Sequence, residues 1–108
     1  MQKRDKVVWW SWKARQDLEE ISRYLYQVAP ADSTERLLQG IIKSGNDLAT
    51  RALLWPVRRE VSMKIRSMAV RPYAVFYRVS ESEVEIARIL HGHRNIEAIL
   101  RTMARRRL

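Results

Sequence analysis

The seven residues from Tyr73 to Val79, YAVFYRV, limit the possible folds more than any other stretch of the chain. Strand side chains alternate, so Tyr73, Val75, Tyr77 and Val79 fall on one face and Ala74, Phe76 and Arg78 on the other. Such near-continuous apolarity predicts a central strand covered on at least part of both faces. Ile65 to Val70 reads as the strand before it, with Arg71-Pro72 as the turn between them. The polar turn from Ser80 to Glu83 then leads into a third strand, Val84 to Leu90, closing a hairpin.

Upstream of this block the hydrophobic period is helical. Val7 to Trp12 is aromatic and β-branched, which suits a first strand, and Ser11 is placed to cap the helix that follows. Leu18, Ile21, Leu25 and Val28 recur at three- and four-residue spacing, with Asp17, Glu19 and Glu20 in the early turns where the helix dipole favours negative charge. Pro30 ends this helix, and Asp32 or Ser33 is placed to cap a second one carrying Leu37, Leu38, Ile41, Ile42 and Leu48. Gly45 weakens that helix by roughly 1 kcal/mol relative to alanine, which predicts a kink or a close helix crossing. Trp55-Pro56 closes the helical hairpin, and Val57 to Met63 is a basic linker. After the third strand and His91-Gly92-His93-Arg94, Asn95 caps a last helix through Ile96, Ile99, Leu100 and Met103 that ends in Arg105-Arg106-Arg107.

The order β-α-α-β-β-β-α predicts an α+β domain, a helical hairpin packed on one face of a small, mostly antiparallel sheet. At 108 residues the chain is expected to be a single domain over 1–108, with 1–6 and about 104–108 as flexible ends. One covered face leaves the other as the natural binding surface. Trp9 and Trp10 must point to opposite faces, and Met63, Met68 and Met103 read as core or groove filling.

Composition narrows the functional classes. No apolar run approaches the ~20 residues of a membrane span, and the VVWW segment after Lys3, Arg4 and Lys6 is too short for a signal peptide core. A cytoplasmic protein with no membrane partner is therefore expected. The absence of cysteine, with only 2 histidines, excludes disulfides and thiolate metal sites and argues against a structural zinc; no metal or cofactor is expected. The net charge of +9 is unevenly placed. Lys13 to Leu54 carries six basic and six acidic residues, whereas Trp55 to Ser80 sets six basic residues against Glu60, and Val84 to Leu108 sets six against Glu85 and Glu97. A basic strand half and tail favour a nucleic acid or an acidic protein segment as partner, or serve as a solvated face that aids solubility.

Four motifs carry a family resemblance: W-S-x-x-A-x-x-D-L-x-x-I at Trp10 to Ile21, I-R-S-M-x-V at Ile65 to Val70, Y-x-V-F-Y-R-V at Tyr73 to Val79, and V-E-I-x-R-I-L-H-G-x-R at Val84 to Arg94. In this order they resemble the RelE/ParE superfamily of toxins from type II toxin–antitoxin pairs, and the last two resemble its ParE-like side. The resemblance implies a small toxin neutralised by a co-encoded antitoxin whose acidic and apolar C-terminal segment wraps around it. Antitoxin contacts are then expected at Lys64, Arg66, Tyr73, Phe76, Arg78, Arg88 and Arg94.

The resemblance also implies two candidate activities. The RelE-like branch cleaves messenger RNA on the ribosome, combining proton transfer with charge stabilisation. Its pattern places an Arg where this chain has Ala74 and a Tyr where it has Leu100, leaving Arg66, His91, His93 and Arg94, with Lys64 beside them, as the remaining nuclease set. A histidine titrating near pH ~6.5 suits acid–base work. The plainer alternative has His91 closing its strand by hydrogen bonding and Arg94 pairing with Glu97 or with the antitoxin. The ParE-like branch inhibits DNA gyrase by binding and needs no catalytic residue. Candidate target contacts are Arg15, Arg23 and Arg36 on the helical hairpin, and Arg101, Arg105, Arg106 and Arg107 in the tail, where arginines also complement a helix end. Two positions depart from the family pattern: Trp12 replaces a Pro, and Asn95 replaces an Asp and so leaves Arg94 less neutralised.

Overall fold

The computed structural model describes residues 5–58, 64–92 and 94–106, the side chains of 103–106 excepted. Expectations for Met63, His93, Arg107 and the side chains of Met103, Arg105 and Arg106 lie outside the described residues, as does most of the basic linker. The elements are β1 (Val7–Trp10), α1 (Trp12–Val28), α2 (Ala31–Asn46), α3 (Leu48–Arg51), β2 (Arg66–Val70), β3 (Tyr73–Val79), β4 (Glu83–His91) and α4 (Ile96–Arg106). One four-stranded sheet has the order β1-β4-β3-β2. β2–β3 and β3–β4 are antiparallel, whereas β1 lies parallel to β4. The fold is α+β, as the element order predicts.

Local chemistry accounts for most boundaries. Ser11 caps α1, its hydroxyl accepting from the Ala14 N–H at 3.0 Å. The second helix starts earlier than the Asp32 or Ser33 cap would place it: Pro30 occupies the cap position, and Asp32 lies in the first turn. Proline supplies a pre-set φ and no N–H to be orphaned, so it opens α2 as well as closing the chain segment after α1. The stripe that reads as one helix through Leu48 breaks at Asp47, leaving α3 as a separate turn. Gly45 marks a close approach, made by a strand side chain. A Cβ there would lie 2.6 Å from Cη2 and Cζ2 of Trp10 and 2.9 Å from Cδ1 of Ile86. The Trp10 indole also donates from Nε1 to Asn46 Oδ1 at 3.0 Å.

The core has two parts. Tyr73, Val75, Tyr77, Met68, Val84, Ile86 and Ile89 face α1 and α2 and pack with Ala14, Ile41 and Leu48. Phe76, Leu90 and Ile65 face the other way and pack with Leu100, Ile96 and Ile99. The second sheet face is thus partly covered by α4, which corrects the expectation that it lies open. The apolar stripe of α4 packs there, and burying side chains such as Phe76 and Leu100 contributes about 1.5–3 kcal/mol each. Trp9, on that same side but beyond α4, keeps 43% exposure.

Candidate functional site

β1 pairs only with Glu83 to Ile86, so the outer edge of β4 beyond Ile86 has no strand neighbour. The start of α1 satisfies it. Ser11 donates its N–H to Ile86 O and its hydroxyl to Ala87 O, both at 2.9 Å. Nearly two turns on, Asp17 accepts from the Ile89 N–H at 3.0 Å and from Arg88 Nε and Nη2 at 2.7 and 2.9 Å. A β-bulge at Phe76/Tyr77 coincides with this lock, since Phe76 pairs with Arg88 while Tyr77 pairs with Ile86.

Past the lock, α1 and the end of the sheet diverge and enclose a cleft of about 500 Å³. Its floor is Ile21, Leu25, Pro72 and Ile89, and polar groups of Glu20, Tyr24, Tyr73, His91 and Arg94 line its walls. Tyr73 and His91 are register partners on β3 and β4, their rings edge to face with centroids 5.3 Å apart. Tyr73 is only 6% exposed. Burial first, and Tyr24 second, push its phenol above the usual range, so it remains a proton donor. Among the described residues its hydroxyl has no hydrogen-bond partner, nor do Glu20 or Arg94 make an ion pair. Glu97, a suggested partner of Arg94, pairs with Arg101 instead.

Among the described residues of the nuclease set, Arg66 and His91 do not converge. Arg66 pairs in register with Tyr77, and His91 with Tyr73, so the two lie at opposite ends of β3. Four residues along and two strands across correspond to roughly 13 Å and about 10 Å. Lys64 lies further still from His91. Arg66 moreover donates from Nη1 to Trp55 O, tying β2 to the loop after α3. Arg94 is exposed at the His91 end.

Several residues expected at the antitoxin interface are held internally. Phe76 is fully buried between α4 and the Arg58 guanidinium, whose carbon lies 5.7 Å from the ring centroid. Arg78 pairs with Glu85, and Arg88 with Asp17. Lys64 and Arg94 are exposed, and Tyr73 reaches the cleft. On the helical hairpin Arg15 and Arg36 are exposed, while Arg23 pairs with Glu19 at 2.8 Å. Arg101 pairs with Glu97 on the exposed side of α4. Glu20 and Tyr24 are the cleft residues that sequence reasoning passed over. Their i, i+4 spacing, on the side of α1 that carries Asp17 and Ile21, is the signal that could have found them. Among the described residues no His, Asp and Glu cluster is placed to hold a metal, and no helix is long and apolar enough to cross a membrane.

Comparison with known proteins agrees with this architecture. The chain resembles a solved structure of the chromosomal ParDE toxin–antitoxin system of P. aeruginosa, with a TM-score of 0.67 and 21% identity over 80% of this chain and 95% of that one. It also resembles the RelBE2 toxin–antitoxin complex of Mycobacterium tuberculosis, with a TM-score of 0.59 and 25% identity over 81% and 98%. No curated protein sequence matches it. The family model described as the ParE toxin of the type II toxin–antitoxin system parDE matches residues 8–96, which include both the Asp17–Arg88 lock and the cleft. The chain belongs to the ParE toxin family of type II toxin–antitoxin systems.

Proposed function

We propose that this toxin acts by binding and inhibiting DNA gyrase, without chemistry of its own, and that a co-encoded antitoxin with an acidic and apolar C-terminal segment neutralises it. The observation that carries this reading is the separation of Arg66 and Lys64 from His91 and Arg94 across the sheet. General acid–base catalysis needs its groups within hydrogen-bond reach of one reacting centre, or one water away. Arg66 is also committed to Trp55 O. The absence of the Arg and Tyr at Ala74 and Leu100 points the same way.

For antitoxin binding we propose Lys64, Tyr73 and Arg94 as direct contacts, with Arg66, Phe76, Arg78 and Arg88 shaping the surface from within. For the target we propose the exposed arginines of the hairpin, Arg15 and Arg36, with the basic tail. The likeness to a RelBE2 complex favours a second reading, ribosome-dependent cleavage of messenger RNA. Induction of the toxin without antitoxin separates the two. Gyrase poisoning gives relaxed or broken DNA with intact messages, whereas cleavage within codons, seen by primer extension before any change in DNA topology, overturns the proposal.

A further inference from the structure

The cleft carries charges of both signs. The chain as a whole carries +9, yet the cleft sets the carboxylate of Glu20 against the guanidinium of Arg94 over an apolar floor, and the two do not neutralise each other. The charge of Asp17, at the inner end, is already met by two hydrogen bonds from Arg88. A nucleic-acid backbone would bring phosphates against Glu20, so the general attraction of a basic protein for polyanions does not extend to this site. Tyr73, a largely buried residue, also lines the cleft, and its hydroxyl has no hydrogen-bond partner among the described residues. A phenol hydroxyl at the wall of a cleft is free to donate to an acceptor that enters it. The volume, about 500 Å³, falls within the range of sites that enclose a compact ligand.

We propose that this cleft is the anchor point for a peptide segment of the protein partner: an apolar side chain inserts between Ile21, Leu25 and Tyr73, an acidic residue on one side of it pairs with Arg94, and a basic residue on the other pairs with Glu20. The inference rests on the antitoxin reading above and adds a sequence requirement and a direction to it. The opposed charges admit the segment one way round, because reversal sets like against like at both ends. The Tyr73 hydroxyl donates to a backbone carbonyl of the inserted segment, and the exposed Tyr24 ring covers the anchor.

The test is a titration of the full-length antitoxin encoded beside this chain into the wild-type toxin and four variants: Tyr73→Phe, Arg94→Glu, Glu20→Arg and, as a control of equal charge change outside the cleft, Arg51→Glu. Tyr73→Phe keeps the ring against His91, and a thermal melt of each variant verifies folding. Arg94→Glu and Glu20→Arg are expected to weaken binding by about tenfold or more, against less than about threefold for Arg51→Glu, and Tyr73→Phe by about threefold to tenfold. A partner variant with the two flanking charges exchanged should restore binding to the Glu20→Arg/Arg94→Glu double variant and bind wild type poorly. Equal weakening by Arg94→Glu and Arg51→Glu, with Tyr73→Phe unchanged, overturns the proposal while leaving the antitoxin reading intact. Loss of gyrase inhibition in the cleft variants with antitoxin affinity unchanged assigns the cleft to the target and overturns it too. Failure of the wild-type chain to bind that protein at all removes the underlying reading, and this proposal with it.

Discussion

Asp17 and Glu20 sit one turn apart on the same side of α1, yet they have opposite fates. Asp17 is buried, and its two oxygens take three hydrogen bonds from Arg88 and the Ile89 N–H. Glu20 is exposed on the wall of the cleft. The difference lies in what β4 offers opposite each. At Asp17 the strand presents a bare edge and an arginine, so a carboxylate completes the sheet. At Glu20, on the cleft wall, no cation among the described residues pairs with the carboxylate, so the same chemistry is left for a partner. A parallel contrast separates two tyrosines on one face of β3. Tyr77 donates to Ala52 O at 2.7 Å and is closed off, whereas Tyr73 lines the cleft.

The largest effect should come from breaking the closed region. Asp17→Asn leaves Arg88 short of its counter-charge and should cost about 3–5 kcal/mol in urea denaturation. A loss below 1 kcal/mol would show that the lock is only another surface pair. The next is a pH effect. Burial pushes Tyr77 up to about 12, with Arg66 pulling the other way. The unfolded chain ionises this phenol near pH 10 while the folded chain holds its proton. Stability is therefore undiminished below about pH 10 and falls as pH rises toward 12, by about 2 kcal/mol from this group. Tyr73, whose pKa is also raised, adds to the fall in the same direction. Tyr77→Phe should begin less stable and decline less steeply, and an unchanged slope would remove Tyr77 as the cause. Ser11→Ala, which strips the α1 cap and the donor to Ala87 O, should cost about 1–2 kcal/mol. Smallest of all, Glu20→Gln should stay within about 0.5 kcal/mol of wild type. A large loss there would mean that the cleft is structural after all.

Much of this was legible in the sequence, and the misses have physical causes. YAVFYRV reads as a central strand because both of its faces are apolar, and β3 spans those residues, Tyr73–Val79. Ser11 stands out as a cap because only its side chain lies three residues before an otherwise unpartnered N–H. The covering of the second face by α4 was harder to see. An amphipathic helix of this length declares that it needs an apolar surface but does not say which, and Phe76 with Leu90 supplies one only once the sheet has formed. Whether His91 and Arg66 meet is not legible in the sequence, because membership of a motif says nothing of register. Only the pairing of Arg66 with Tyr77 and of His91 with Tyr73 places them apart. Glu20 and Tyr24 were overlooked for a related reason. Polar residues on a helix read as solvated until a second wall is known to stand opposite them.

The most direct test of the central claim is plasmid supercoiling by purified DNA gyrase, titrated with the purified chain in the absence of antitoxin. The account predicts that supercoiling is lost as the toxin exceeds the gyrase concentration, and that adding antitoxin restores it. Supercoiling at an undiminished rate under a large excess of folded toxin would contradict it.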